Sequence, residues 1–503
     1  MMTSSNNSPR YLPASPSFQL CVALVSVLTI VRLIGLHYSI VDFYVDEAQY
    51  WAWSREFAFG YFSKPPLLAW IIAAAEKVCG GSEACVRAPA PIFYLGTSLL
   101  GYAIADELYD KRTAFWTALS IALAMGLVFS SRIISTDVPL LFFWSLALLA
   151  YVKLLRKENF AWAVVLGGAL GLGLLVKYAM IYFLLGIALA ACFDRDARLF
   201  LRQPACWLAL AIAALCLAPN ILWNMNNGFV TFKHTGDNIE GPGVTFNVLK
   251  GLEFIASQFA VFGPIVFGAL LTLIVRFMRP DMPRADRLML AFAIPVLALI
   301  TTVAFITHAH ANWAAPAFIS SVIVVTAALV RMQAWRWLTL SLAIGGVVQV
   351  VLLGTDAIAD RVQAPFLAKS DVYARTMGWR ALGDEAGRIA DRIGAGAFAG
   401  DTRDSVASLL YYQRNGQRPV LAWSARITPG NHFELTRPLT AAAPEPILFI
   451  SSCPSESRLS AAYRGVEALG GFTVPTGPTS KRGFHAFKLS GVRGPVGPLA
   501  RCG

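Results

Sequence analysis

The sequence predicts an all-α polytopic membrane domain of about eleven transmembrane helices, with interfacial helices in its first outside loop, followed by a small soluble α/β domain. Composition comes first among the reasons: of 503 residues, 56% are hydrophobic and only 14% charged, against roughly 25% charged in an ordinary soluble domain. Second, apolar runs of about the 20 residues needed to cross a bilayer recur along the first two thirds of the chain. Third, charges, Gly and Pro return after Leu353, with strand-like runs between helical patterns. The formal charge of +12 does not indicate a nucleic-acid partner, because Lys and Arg sit in short clusters between apolar runs and form no continuous basic face.

Residues 1–17, with Ser4, Ser5, Asn6, Asn7, Ser8 and Pro9, read as a disordered cytoplasmic N-terminus. The apolar run that follows lacks a small-residue cleavage pattern and is expected to remain as the first helix. Spans are expected near 18–38, 88–106, 113–130, 138–155, 160–176 and 178–193, and again near 205–222, 253–277, 286–306, 313–330 and 335–353. With the N-terminus inside, fifteen basic residues fall in inside segments, among them Lys111, Arg112, Lys153, Arg156 and Arg287, against eight outside. The positive-inside rule therefore sets the orientation. Two segments decide the parity of the count. Pro65 to Val78 is apolar but only about 14 residues long, the length of an interfacial or re-entrant helix, so residues 39–87 form one outside loop. The 33-residue run from Ala161 to Phe193 is divided at Lys177.

The membrane domain then covers 18–355, and 356–503 form the α/β domain on the outside. Strands are expected at 397–399, 419–421 and 447–450, and helices near 378–393 and 457–469. Four cysteines (Cys21, Cys192, Cys206, Cys216) lie in expected spans, where Cys is a small packing residue. Cys79 and Cys85 flank a short loop in a compartment that permits a disulfide, and Cys453 with Cys502 is a second candidate pair. No Cys/His spacing matches a structural zinc site.

Ionisable residues near membrane depth are costly and mark function by default. Here they choose one side. The first outside loop carries Asp46, Glu47 and Lys64; the second, Arg132 and Asp137; the third turn, Lys177 and Tyr178; the fourth loop, Lys233 and His234; the fifth, His308, His310, Asn312 and Trp313. Asp46 and Glu47 are adjacent and point in different directions on any regular element, so one does chemistry while the other orients. A carboxylate at the rim of an apolar bundle suits a general base, although a helix cap or a salt bridge explains the same residues. Lys64 stands before Pro65-Pro66, a stiff support for a charge aimed at phosphate; the alternative is a lysine snorkelling to the interface. Asp137 before Pro139 has the pattern of a helix start. Two histidines spaced like His308 and His310 do not make a metal site, and Asn312 and Trp313 fit interfacial packing as well as sugar contact. The outside acidic cluster offers oxygen ligands to a divalent cation, but few for one.

These strings resemble the GT-C class of glycosyltransferases, in the branch of protein O-mannosyltransferases and lipid A aminoarabinose transferases. The residues that carry the resemblance are Tyr44-Val45-Asp46-Glu47, Gly60-Tyr61-Phe62-Ser63-Lys64-Pro65-Pro66, Thr136-Asp137-Val138-Pro139 and Leu175-Val176-Lys177-Tyr178. Pro219-Asn220-Ile221-Leu222-Trp223-Asn224 belongs to the same set, while Phe232-Lys233-His234-Thr235-Gly236 and Ala311-Asn312-Trp313-Ala314-Ala315-Pro316 are similar to the subgroup of bacterial lipopolysaccharide galacturonosyltransferases. Ser63 departs from the aminoarabinose enzymes, which have Glu before the Lys.

The resemblance covers roughly 20–355 and implies a bacterial inner-membrane enzyme with a periplasmic active site and C-terminal domain. It implies a polyprenyl-phosphate-linked sugar donor, a lipid A, lipopolysaccharide-core or other glycan acceptor, and no nucleic acid. Asp46 is then the base, with Asp137 or Glu47 as the other carboxylate. Lys64 is the main phosphate contact, supported by Lys177, Lys233 and Arg132, and Tyr61, Tyr178, His234, Asn312 and Trp313 are substrate contacts. No cofactor is required, and a divalent metal ion stays open. The other readings are protein O-glycosylation within the same class and a transporter or flippase of lipid-linked sugars, whose inverted repeats and midplane polar groups are missing from this sequence.

Overall fold

The computed structural model describes residues 17–240, 246–363, 371–424, 428–454 and 456–493. Among them, seven helices are long and apolar enough to cross a membrane: Phe18–Tyr38, Glu83–Leu108, Asp137–Arg156, Pro204–Asn226, Arg284–Ile306, Ala311–Arg331 and Trp335–Ala357. Each coincides with an expected span. The other four expected spans are shorter or broken; counted by length and composition, seven helices qualify, or eight if a bent pair is one span. The run at 253–277 is not one rod: Val248–Phe262 and Pro264–Val275 meet at 117°. Gly263 takes φ 89°, where a side chain would be strained, and Pro264 lacks the amide hydrogen needed to continue the ladder. Phe160–Val176 ends at Lys177, whose backbone is extended (φ −156°, ψ 128°), and the chain resumes as a short 3₁₀ turn and the helix Tyr182–Phe193.

The expected span at 113–130 divides into Lys111–Ala122 and Met125–Ser130. A helix end inside a bilayer leaves carbonyls that no water can reach. Arg32 of the first span supplies the donor: it is 3% exposed, and its Nη2 donates to the Ala122 carbonyl at 2.6 Å while Nε donates to Gln349 at 2.7 Å. The helix Trp335–Ala357 crosses this break so closely that a Cβ at Gly345 would lie 1.8 Å from the Leu123 carbonyl oxygen. Sequence reading found neither the break nor its buried arginine.

The first loop contains the helices Val45–Ser54, Leu67–Cys79 and Glu83–Arg87, and Cys79 is joined to Cys85. Cys502 lies outside the described residues, and so does the pairing that would use it. The C-terminal unit holds five strands, β1 (Ala397–Gly400), β2 (Val420–Ala422), β3 (Ile447–Ser451), β4 (Tyr463–Pro475) and β5 (Lys481–Val492), in the order β2-β1-β3-β5-β4. β1 runs parallel to β2 and β3, and β5 is antiparallel to β3 and β4. The helix expected at 457–469 is instead the four-residue helix Glu456–Leu459 followed by β4. Gly465, Gly470 and Gly471 weaken a helix there, and pairing along β5 decides the outcome.

This unit is not an isolated body. Phe43, Trp51, Trp53 and Tyr61 of the first loop share one buried cluster with Trp379, Leu409, Tyr411 and Phe484. The helix Trp379–Ile393 begins after Gly378, which has no side chain to cap it. Asp42 of the loop caps it from outside, accepting from the Trp379 and Arg380 amides at 2.9 and 3.2 Å.

Candidate active site

A cavity of about 700 Å³ lies between the first loop and the carboxyl ends of the parallel strands. The helix Val45–Ser54 lines it with Asp46, Gln49 and Tyr50, which share one face by their three- and four-residue spacing. Glu47 faces away. It is 2% exposed and accepts two bonds from Arg87 (Nε 2.8 Å, Nη2 2.7 Å), one from the Tyr44 amide at 3.1 Å and one from the Ile134 amide at 3.0 Å. Arg87 also donates to the Val41 and Asp42 carbonyls, so the pair ties three segments together. The two adjacent carboxylates point in different directions, as the helix requires.

Lys64 enters the same cavity from a fixed turn. The Tyr61 amide donates to the Lys64 carbonyl at 3.1 Å, and the Tyr61 hydroxyl donates to the Trp53 and Glu56 carbonyls while its ring stacks on Trp53 at 4.8 Å. Tyr61 therefore supports the turn and does not face the cavity. Among the described residues, the Lys64 ammonium has neither hydrogen-bond nor ion-pair partner. Burial, followed by the charge of Lys177, pulls it below the ordinary lysine range, with Asp46 and Asp137 opposing. A half-buried cation on a cavity wall, without a partner among the described residues, suits an anion.

Asp46 is not free. Arg403, the first residue of the helix Arg403–Tyr412 that follows β1, meets its Oδ1 at 2.9 Å. Behind the cavity wall, Asp137 accepts from Lys177 Nζ at 2.6 Å and from Asn312 Nδ2 at 2.7 Å. Tyr178 donates to Asn220 at 2.7 Å and stacks on Phe232. His234 and His310 line the cavity, and Trp313 packs against the rings of His308 and His310. Arg132 and Lys233 are not brought here: Arg132 pairs with Asp356 at 3.0 Å, and the Lys233 side chain is exposed outside the lining. Among the described residues, no group of three or more His, Cys, Asp and Glu is gathered to hold a metal ion.

The C-terminal unit contributes Arg375, Asp401, Arg403 and His432, which sequence reading did not find. They lie where the resemblance is loosest, and none has a local pattern that separates it from a surface residue. His432 is 8% exposed, and burial, reinforced by Arg437, pushes its imidazole down to about 3. Between that value and the roughly 6.5 of an unfolded His, only the unfolded chain binds the proton, so stability falls as pH drops through this window. The expected slope is about 1.4 kcal/mol per pH unit. Unfolding of solubilised protein followed between pH 4 and 6 should show it, and His432→Gln should flatten it; equal slopes in the two proteins would remove His432 as the cause.

The profile of a family described as dolichyl-phosphate-mannose-protein mannosyltransferase matches residues 63–223. Lipid A galacturonosyltransferase RgtD of Rhizobium johnstonii is 31% identical over 439 residues, covering 86% of this chain and 92% of that protein. The lipopolysaccharide core galacturonosyltransferase RgtA of the same organism is 29% identical over 214 residues, 41% of this chain and 42% of that one. In structure, ArnT from Cupriavidus metallidurans bound to undecaprenyl phosphate superposes with a TM-score of 0.67 at 15% identity, over 97% of this chain and 100% of that one. The chain belongs to the GT-C glycosyltransferase family, as an integral membrane enzyme.

Proposed function

We propose that this transferase moves one sugar from a polyprenyl phosphate to a lipid A or lipopolysaccharide-core acceptor at the periplasmic face of a bacterial inner membrane, inverting the anomeric centre. The observation that carries the reading is Lys64, a half-buried ammonium without a partner among the described residues, on the wall that also presents Asp46. The acceptor names of RgtD and RgtA and the undecaprenyl phosphate of the ArnT structure support the two substrate classes.

In this reading the acceptor hydroxyl oxygen forms the new bond to the anomeric carbon, and the carbon–oxygen bond to phosphate breaks. The electron pair leaves with the polyprenyl phosphate, whose charge Lys64 meets, and the hydroxyl proton passes to Asp46. Arg403 holds the Asp46 carboxylate in place. Asp137, neutralised by Lys177 and steadied by Asn312, backs the site and gives Lys177 a supporting part.

The test is transfer from purified polyprenyl-phosphate sugar to lipid A by membrane-inserted protein. Asp46→Asn preserves size and hydrogen bonding but removes the base, so turnover should fall by about 10² or more with donor affinity kept. Near-parental turnover would return Asp46 to a purely structural pairing with Arg403. Transfer to protein and not to lipid would place the acceptor in the other branch of the family.

A further inference from the structure

We propose that the carboxyl ends of β1 and β3 form a subsite for the sugar hydroxyls of the acceptor, with Asp401 and His432 as the reading groups. The inference rests on the functional reading above and adds to it the place and chemistry of acceptor recognition.

The topology points there first. In an open α/β sheet with strand order β2-β1-β3, the connections leave β1 and β3 in opposite directions, and a crevice opens between β1 and β3 at their carboxyl ends. Asp401 is the residue after β1 and Ser451 the last of β3; the Ser451 hydroxyl donates to Asp401 Oδ2 at 2.6 Å. The crevice opens into the 700 Å³ cavity, which Asp401, Ser452 and Trp423 line.

The second observation concerns unmet hydrogen bonds. Asp401 Oδ1 and His432 Nδ1 are both buried without a hydrogen-bond partner, and both residues line this cavity. Each such atom costs about 1–3 kcal/mol as it stands, and a small rotation of its side chain toward the cavity would give it a hydroxyl partner. Asp401 requires that ligand to bring donors. A phosphate oxygen brings none, whereas sugar hydroxyls donate and accept. The donor phosphate has its cation in Lys64, supplied by the first loop; the reading groups here all come from the C-terminal unit. A single donor sugar fills only part of the cavity, and the strand ends are left for the acceptor.

Two variants test this in the full-length protein. Asp401→Asn replaces the orphaned carboxylate by an amide, and Ser452→Trp fills the crevice from a solvent-exposed position without touching the core. Total envelope lipid from a strain lacking the gene is titrated as acceptor, and the polyprenyl-linked sugar fraction as donor. Each variant should raise the half-saturating amount of envelope lipid about tenfold or more while leaving that of the donor unchanged. A rise in donor half-saturation instead would show that the crevice reads the donor sugar, and no change in either would show that it reads neither; both overturn the inference. A parent that uses the extract but not purified lipid A would refute the acceptor named above and leave the subsite standing.

Discussion

Lys64→Ala is expected to lower transfer by about 10²–10³-fold and to weaken donor binding as well, a pattern that removal of a base does not give. The ammonium meets phosphate both before the sugar leaves and after, so ground state and transition state lose together. Lys64→Arg should recover binding better than turnover, because the planar guanidinium needs room that the turn at Pro65-Pro66 restricts. Higher pH should rescue part of the rate of Asp46→Asn by ionising the acceptor, and none of that of Lys64→Ala. Folding should be spared, since Lys64 has no partner among the described residues to orphan. Unchanged donor affinity in Lys64→Ala, measured with polyprenyl phosphate on membrane-inserted protein, would move the phosphate site elsewhere.

Arg87→Leu and Glu47→Gln are expected to act through folding. The pair is almost fully buried at 3% and 2% exposure, with an Arg87 Nη2 to Glu47 Oε2 distance of 2.7 Å. Removing one member leaves an uncompensated buried charge and costs about 3–5 kcal/mol. Arg87→Leu also orphans the Val41 and Asp42 carbonyls, and Glu47→Gln takes one acceptor from the pair of amides at Tyr44 and Ile134. The expected readout is a lower yield of folded protein and a lower unfolding temperature, with residual activity proportional to what folds. A Glu47→Gln protein that unfolds like the parent yet transfers no sugar would assign Glu47 to the chemistry.

The sequence made the membrane domain legible because hydrophobic length is a one-dimensional property: seven expected spans coincide with long apolar helices. It failed where the bilayer crossing is irregular. The bend at Gly263-Pro264 could be read locally, since both residues announce it. The break after Ala122 could not, because its cause is Arg32 on another helix. For the site, the split between Asp46 and Glu47 followed from helix geometry alone. Lys64 stood out through its Pro-Pro support. Lys233 carried the same sequence signal as Lys177, but among the described residues only Lys177 of the two has a carboxylate partner, and Arg132 is held by Asp356, a residue more than two hundred positions away. Arg403 and Asp401 reach the cavity through strand order, which no local pattern records.

The seam between the first loop and the C-terminal unit bears on how acceptor preference could be re-engineered. Trp51 and Tyr411 meet edge to face at 4.9 Å, Phe43 and Tyr411 at 4.4 Å, and Arg380 bridges Asp42 and Glu83 across the same boundary. A foreign unit grafted after Ala357 would have to match this aromatic and ionic relief before it could fold, and would have to bring an arginine to Asp46 before it could work. Exchanging the few residues at the tips of β1 and β3 avoids both demands. New specificity is therefore more accessible through these turns than through modular exchange.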